Sequence, residues 1–189
     1  MSTRSAGRAG AVLAAVAMAL SGCATTQHRT AQQRLLEAGA LVQDWSPRSR
    51  TAAAALLEEY GAPDRIESSR LTWNGRHLFN RVVVWDEIPG SEPAAAIIDA
   101  SVAYRVPEAK RPELAAFSDE VRVSEDGHEL AARAESMPAA ALALNLANEI
   151  VIGLKTPAEA RAFQKKTLRL RAAGKVSAFT QGLIFLPAP

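Results

Sequence analysis

This sequence has little cysteine, few aromatic side chains and a small net charge. Its 189 residues include one cysteine and 5% aromatic residues, and 22 basic side chains stand against 20 acidic ones. A single cysteine excludes a disulfide bond within the chain. The balanced charge argues against a generally basic nucleic-acid-binding protein. The length is that of one domain of ordinary size.

Sequence motifs for metal or nucleotide chemistry are missing as well. The three histidines, His28, His77 and His128, do not form a short metal-ligand spacing. The sequence contains no glycine-rich phosphate loop and no Gly-x-Ser-x-Gly nucleophile turn. We therefore expect no metal ion, no other cofactor and no nucleic-acid partner, and we favour a protein that acts by binding and not by catalysis.

The first 23 residues combine a positively charged start, an apolar run and a cysteine. Arg4 and Arg8 precede the apolar run, which extends from Ala9 to Leu20. As a helix this run would be about 18 Å long, which is short of a hydrocarbon core of about 30 Å. The run is followed by Ser21-Gly22-Cys23. Together with Leu20, this ending resembles the lipobox of bacterial lipoproteins.

The resemblance implies cleavage before Cys23 and lipidation of its thiol, so we expect palmitate on this residue. We divide the chain into a lipoprotein signal peptide at 1–22, a lipidated tether at 23–29 and one domain at 30–189. Two or more acyl chains hold a protein stably at a membrane. Ala24 after the cysteine resembles the signal for sorting to the outer membrane. The expected location is the cell envelope, on the outer membrane and facing the periplasm.

Residues 30–189 alternate between helix and strand signals in a way that predicts an α+β fold. The predicted helices are 30–42, 47–60, 112–117, 138–154 and 157–171, and the predicted strands are 66–73, 78–85, 98–106, 121–124 and 129–134. Asn74-Gly75 and Asp126-Gly127 predict two hairpin turns. Strands linked by hairpins imply a mainly antiparallel sheet with helices packed on one face.

Residues 57–85 combine a helix end, a Gly-x-Pro-Asp corner and two strands with tryptophans. The helix end and the corner read Leu57-Glu-Glu-Tyr-Gly-Ala-Pro-Asp64, and the strands end at Trp73 and Trp85. This segment resembles SmpA-type outer-membrane assembly lipoproteins and their beta-lactamase-inhibitor-like relatives. The resemblance implies a non-catalytic scaffold that binds other proteins. The chain lacks the Gly-Met-Thr/Ser sequence that opens the helix in that family.

The helix predicted at 138–154 is apolar around most of its circumference. At 100° per residue, Asn145, Asn148, Glu149 and Ile152 fall in one narrow sector, which we name the asparagine strip. The strip is either a plain solvent contact or the lining of a groove for a peptide or a glycan. In a groove, the asparagine amides would donate and accept hydrogen bonds and the isoleucine would supply apolar contact.

Basic residues are concentrated on the last predicted helix. Arg161, Lys165 and Arg169 recur every four residues and share one helix face, which we name the basic strip. One interpretation is a solvated face that is balanced by the acidic residues between Glu113 and Glu135. The other is contact with an anionic surface such as lipid head groups, lipopolysaccharide or a cell-wall polymer.

These observations predict a lipid-anchored envelope protein that serves as a non-catalytic binding or scaffold module. Its partners would be the membrane, through the anchor, and an envelope protein or a cell-wall polymer. An envelope hydrolase of cell-wall or ester substrates stays open as the alternative. Its site would be assembled by folding from Glu149, Asn145 and Asn148, together with His128 or Arg133.

Overall fold

Six strands form one antiparallel sheet at the centre of the structure. The computed structural model describes residues 22–87 and 96–188, with side chains from Thr30 onward. The strands are β1 (Arg65–Glu67), β2 (Arg70–Arg76), β3 (Phe79–Trp85), β4 (Ile98–Ala103), β5 (Val121–Val123) and β6 (Glu129–Ala134). Their order across the sheet is β1-β2-β3-β4-β6-β5, and every neighbouring pair is antiparallel.

Five α-helices accompany the sheet in the described residues. They are α1 (Gly22–Leu41), α2 (Pro47–Tyr60), α3 (Arg111–Phe117), α4 (Met137–Val151) and α5 (Pro157–Ala172). Short 3₁₀ turns occur at Val42–Asp44, Glu108–Lys110 and Ala178–Thr180. None of the helices in residues 22–87 and 96–188 has the length and apolarity that a bilayer crossing requires.

Alternation along the strands directs one apolar row towards the helices. Trp73, Val82, Ala100, Ala132 and Val121 are neighbours across β2, β3, β4, β6 and β5, and all five are buried. Helix α2 contacts β2 and β3, whereas α4 contacts β4, β5 and β6. The predicted α+β fold, with an antiparallel sheet and helices on one face, is therefore confirmed.

Helix α4 is the most deeply buried helix because apolar residues surround nearly its whole circumference. Leu142, Leu144, Leu146 and Ile150 are fully buried, and the small alanines between them allow close packing on β6. Helix α5 packs on α3 and α4. It begins at a capping box in which the Thr156 hydroxyl accepts from the Glu159 backbone N–H, as its sequence predicts.

The second and third strands meet at a different turn from the predicted one. Asn74-Gly75 lies inside β2, and the chain reverses at His77-Leu78, where His77 has a φ of 51°. The observed register sets Trp73 opposite Val82 on the buried face. Strand register depends on the hydrophobic pattern as well as on turn geometry, and the register observed here is one that buries this apolar pair. The hairpin at Asp126-Gly127 is confirmed, and Gly127 there has a φ of 75°.

Two other boundaries differ from the sequence prediction. The predicted strand at 66–73 is interrupted by a turn at Ser68-Ser69, which produces the short edge strand β1. Helix α1 begins at Gly22, so the backbone at 23–29 is helical where we expected a tether. The signal peptide predicted at 1–22 lies outside the described residues apart from Gly22.

Candidate functional site

The face of the sheet opposite the helices forms a concave, arginine-rich pocket. We name this surface the open sheet face. The pocket has a volume of about 400 Å³. Its lining residues come from all six strands and are Arg65, Arg70, Thr72, Asn74, Arg81, Val83, Trp85, Asp99, Arg122 and Arg133. The volume falls within the usual range of small-ligand pockets.

Asp99 lies at the centre of the open sheet face and is buried, with a side chain that is 6% exposed. Strand pairing sets it between Val83 on β3 and Arg133 on β6. Its Oδ2 atom accepts a hydrogen bond from Arg122 Nη2 and lies 3.6 Å from Arg133 Nε. One carboxylate oxygen therefore holds two guanidinium groups next to each other by charge-assisted contacts.

The open sheet face carries more positive than negative charge. Five arginines line it, and the carboxylates paired with them belong to three residues, Glu67, Asp99 and Glu129. Burial, followed by the neighbouring charges of Arg133 and Arg81, holds the pKa of Arg122 below its ordinary value. An arginine nevertheless stays protonated at neutral pH, so the uncompensated positive charge is permanent.

Several guanidinium donors on this face have no hydrogen-bond partner in the described part of the chain. An arginine offers five N–H donors. Among the described residues, the nearest carboxylate oxygen to the Arg133 guanidinium is the one at 3.6 Å on Asp99. The Arg65 Nη1 atom lies 3.8 Å from Glu67 Oε1, which is beyond hydrogen-bond distance. Both groups can therefore donate to a molecule that enters the pocket.

Two buried oxygen atoms of β4 also lack hydrogen-bond partners in the described part of the chain. They are Asp99 Oδ1 and Ser101 Oγ. Ser101 is fully buried and pairs with Arg81 on β3 and Ala131 on β6. Most buried polar atoms in proteins are paired, so two such atoms side by side mark an unusual place in the sheet.

Trp85 gives the pocket an aromatic wall. The other two tryptophans, Trp45 and Trp73, are buried in the core, at 3% and 0% exposure, whereas Trp85 is only partly buried. Trp85 pairs with Arg70 across β2 and β3. The pocket thus combines a flat apolar ring with cationic and neutral polar groups.

Sequence reasoning missed the open sheet face because it counted charges along the chain. Arg122 and Arg133 were assigned to a mainly acidic segment between Glu113 and Glu135. The strand pairing instead brings them beside residues from distant strands. The alternation Arg81-x-Val83-x-Trp85 was the available signal, because positions two apart point to the same face of a strand.

The asparagine strip does not form an open groove in this structure, because the C-terminal segment covers part of it. Asn145 is fully buried. Its Nδ2 donates to the carbonyls of Phe179 and Gly182, at 3.1 and 2.8 Å, and its Oδ1 accepts from the Ile184 backbone N–H at 2.9 Å. The interpretation of Asn145 as a ligand-lining residue is thereby replaced by a structural role within the chain.

The other members of the asparagine strip have separate surroundings. Asn148 Oδ1 accepts a hydrogen bond from the Tyr104 hydroxyl at 2.7 Å. Burial raises the pKa of Tyr104, which keeps this hydroxyl protonated as a donor. Glu149 pairs with Lys155 at 3.1 Å, and Ile152 is 56% exposed. The strip is therefore divided between internal contacts and solvent.

All three residues of the basic strip are exposed on α5. The Arg161 guanidinium donates to the Ala116 carbonyl and so ties α5 to α3. Arg169 donates to the backbone carbonyl of Lys165 at 3.4 Å. Leu170, near the end of the same helix, is 45% exposed.

The residues of the alternative catalytic site are not brought together. Arg133 lies on the open sheet face, whereas Glu149 and Asn148 lie on α4, which packs on the opposite face. His128 lies in the hairpin between β5 and β6, near Asp126. No group of histidine, cysteine, aspartate and glutamate side chains suited to a metal ion occurs in residues 22–87 and 96–188.

The segment that resembles SmpA-type proteins packs as one local unit. The indole N–H of Trp73 donates to the Gly61 carbonyl at 3.0 Å, and its ring meets Tyr60 edge-on. Asp64 accepts from the Asn74 backbone N–H at 2.7 Å and pairs with Arg76 at 3.1 Å. The glycine and the tryptophan therefore serve packing, and the family resemblance stays a prediction.

Comparison of the chain with protein-family models, curated proteins and solved structures found no match. The function therefore has to be inferred from the chemistry of the site and from the N-terminal sequence.

Proposed function

We propose that this protein is a lipid-anchored lipoprotein of the cell envelope that acts as a non-catalytic binding or scaffold module. The observation that carries the binding role is the open sheet face, a pocket of about 400 Å³ with five arginines around Asp99. The helices cover the other side of the sheet. A concave pocket of this size, on a sheet face that the described helices leave uncovered, is suited to a ligand or a partner.

The arrangement of groups in this pocket supports binding over catalysis. Its one lining carboxylate belongs to Asp99, and two guanidinium groups already hold it. Both guanidinium contacts are made to Asp99 Oδ2, so this carboxylate fixes the positions of Arg122 and Arg133. A pair of positioned guanidinium groups is suited to hold an anionic group of a ligand.

The anchor is inferred from the lipobox sequence at Leu20-Ser21-Gly22-Cys23. Cys23 lies near the start of α1, and Ala38 of the same helix is buried in the core. At a rise of about 1.5 Å per residue, the helix separates the two residues by about 22 Å. Helix α1 would therefore act as a spacer between the outer membrane and the domain, which would face the periplasm.

Metabolic labelling with palmitate tests the anchor. The parent protein should incorporate label and fractionate with membranes, and Cys23→Ser should lose both properties because it removes the acylated thiol. Ser21→Ala is the matched control, since it keeps a small residue in the lipobox and should retain the label. Membrane association of Cys23→Ser, together with an unlabelled parent, would contradict the lipoprotein assignment.

Crosslinking in intact cells, followed by mass spectrometry, tests the binding role. A photoreactive residue in place of Asn74, an exposed residue of the pocket lining, should capture a specific neighbour, which we expect to be an envelope protein or a cell-wall polymer. The same probe in place of Arg169, on α5, reports contacts of the opposite side. Identical products from both positions, or none from Asn74, would argue against a binding role for the open sheet face.

A further inference from the structure

Three features of the pocket on the open sheet face point to the chemical class of its ligand: guanidinium donors without a partner among the described residues, the unpartnered Oδ1 atom of Asp99 and a partly exposed indole. We propose that this face binds an anionic saccharide, a pyranose that carries a carboxylate or a phosphate group. Arg122 and Arg133 would contact the acidic group, and Trp85 would contact the sugar ring. This inference rests on the proposed function in that the chain acts by binding, and it does not require the anchor.

The acidic group is recognised by the pair of arginines that Asp99 holds. Asp99 Oδ2 contacts Arg122 Nη2 and lies 3.6 Å from Arg133 Nε, so both guanidinium groups are positioned before a ligand arrives. A guanidinium presents paired N–H donors that match a carboxylate or a phosphate. Groups that are already positioned lose less conformational freedom on binding.

The sugar ring is recognised by Trp85 and its polar neighbours. Val83 pairs with Asp99, and Trp85 follows Val83 by two residues, so Trp85 is a diagonal neighbour of Asp99. Such neighbours lie about 7–8 Å apart, a separation that one ring with an acidic substituent can span. The flat indole offers an apolar surface to the C–H groups of a pyranose. Thr72 and Asn74 line the same pocket and can bond to hydroxyl groups.

An unpartnered oxygen atom of the pocket lining distinguishes a sugar from a simple anion. Asp99 lines the pocket, and its buried Oδ1 atom has no hydrogen-bond partner among the described residues. A carboxylate oxygen accepts hydrogen bonds only, so it repels a bare anion and attracts a hydroxyl group. A ligand that carries both an acidic group and hydroxyl groups satisfies the arginines and Asp99 together.

Single-stranded nucleic acid is the main competing ligand, because arginines and an aromatic ring also suit it. Glu67, Asp99 and Glu129 disfavour it, since they place negative charge in contact with the arginines of the same face. A single-stranded DNA brings one charge with every nucleotide along its backbone and has no hydroxyl groups between those charges. An acidic saccharide brings several hydroxyl groups with each charge, and these can donate to Asp99.

The test is a titration of the full-length protein, purified in a non-ionic detergent, at about 0.15 M salt. The probes are tetragalacturonate, glucose 6-phosphate, neutral maltotetraose, inorganic phosphate and octathymidylate, with affinity measured by calorimetry. At least one of the two acidic sugars should bind about tenfold or more tightly than maltotetraose and phosphate. Comparison of tetragalacturonate with glucose 6-phosphate distinguishes a carboxylated from a phosphorylated ligand.

Variants test which residues contact the ligand. Arg133→Gln should weaken binding of the acidic sugar about tenfold, because a charged hydrogen bond is lost. Arg169→Gln is the matched control, since it makes the same chemical change on α5 and should leave the affinity unchanged. Trp85→Phe should remove the change in indole fluorescence on binding. If the glutamine variant does not fold, Arg133→Lys replaces it in this test, because lysine keeps the positive charge but lacks the paired N–H donors of the guanidinium group.

Four results would overturn the proposal. They are equal affinity for maltotetraose and the acidic sugars, tighter binding of octathymidylate, equal losses in Arg133→Gln and Arg169→Gln, and no binding of either acidic sugar by the folded protein. None of them alters palmitate labelling of Cys23 or crosslinking in cells. Failure of the saccharide proposal is therefore distinguishable from failure of the proposed function.

Discussion

Replacement of Asn145 by alanine is the sharpest test of how the C-terminal segment is held. The side chain of Asn145 is fully buried in α4 and makes three hydrogen bonds to the backbone of residues 179–184. Asn145→Ala removes all three and leaves two carbonyls and one N–H without these partners. Each lost neutral hydrogen bond reduces stability by about 1 kcal/mol. The expected decrease in the free energy of unfolding is about 3 kcal/mol.

The estimate stays near 1 kcal/mol per bond because water can reach the freed backbone groups. Gly182 is only partly buried and Ile184 is 48% exposed. Two ring contacts of the segment remain in the variant, a tilted one between Phe163 and Phe179, with ring centres 4.9 Å apart, and an edge-to-face one between Tyr104 and Phe185, at 5.4 Å. Because the three hydrogen bonds to residues 179–184 are lost, we expect residues 176–188 to open locally more often, in addition to the global loss of stability.

Urea unfolding followed by circular dichroism measures the global effect, and amide hydrogen exchange of residues 176–188 measures the local one. Asn80→Ala is the control, because Asn80 makes an exposed hydrogen bond to Glu129 at 2.8 Å. The control should change stability by no more than about 0.5 kcal/mol. A loss below about 1 kcal/mol in Asn145→Ala, with unchanged exchange in the segment, would refute the structural role.

Three further predictions follow from named contacts. Asp99→Asn should destabilise the fold by about 2 kcal/mol, because two half-exposed arginines lose a buried carboxylate. Urea unfolding measures this loss, and Asp119→Asn is the control at an exposed position. Stability of Asp99→Asn equal to or above that of the parent would contradict the prediction. Hydrogen bonds from Thr156 hold the pKa of Glu159 in the folded protein below its ordinary value. The charged Glu159 therefore stabilises the fold at pH values above the pKa of the unfolded chain, and this stabilisation is lost as the pH falls through the lower pKa of the folded protein. The stability difference between the parent and Glu159→Gln should therefore shrink between neutral and acidic pH, and a difference independent of pH would refute it. Finally, detergent-free Cys23→Ser protein should bind anionic vesicles at low salt through the basic strip and release near physiological salt; binding that survives glutamine replacement of the whole strip would exclude that contact.

The sequence predicted the fold where local signals and burial agree. The helix at Pro47–Tyr60 has a proline at its start and Gly61 at its end, and the structure shows those boundaries. The turn at Asn74-Gly75 was predicted wrongly, because the register that buries Trp73 opposite Val82 depends on the whole sheet. Local turn preference carries no information about that packing.

The site was harder to predict than the fold because it is made by strand order. β6 lies between β4 and β5 in the sheet, so Arg133 comes to lie opposite Asp99, which precedes it by 34 positions along the chain. Period-two alternation identifies which residues share a face of one strand. It does not identify which strands are neighbours, and so the five arginines could not be assigned to one surface. The structural role of Asn145 could not be predicted for a related reason, since the segment that covers it lies more than thirty residues away in sequence.

The layer order of the domain places its two basic surfaces on separate sides. The open sheet face lies on one side of the sheet, whereas α4 packs on the other side and α5 packs on α4. The basic strip and the five arginines of the pocket are therefore separated by a sheet and a helical layer. Charge attraction to an anionic surface decays over about 8–10 Å at physiological salt, so one flat surface cannot engage the basic strip and the pocket arginines at the same time.

If the basic strip turns towards the membrane beside the anchor, the open sheet face is directed away from the bilayer, where a soluble or cell-wall ligand can enter it. Occupation of the pocket should then leave vesicle binding by the basic strip unchanged, and competition between the acidic sugar and the vesicles would show that both depend on the same surface.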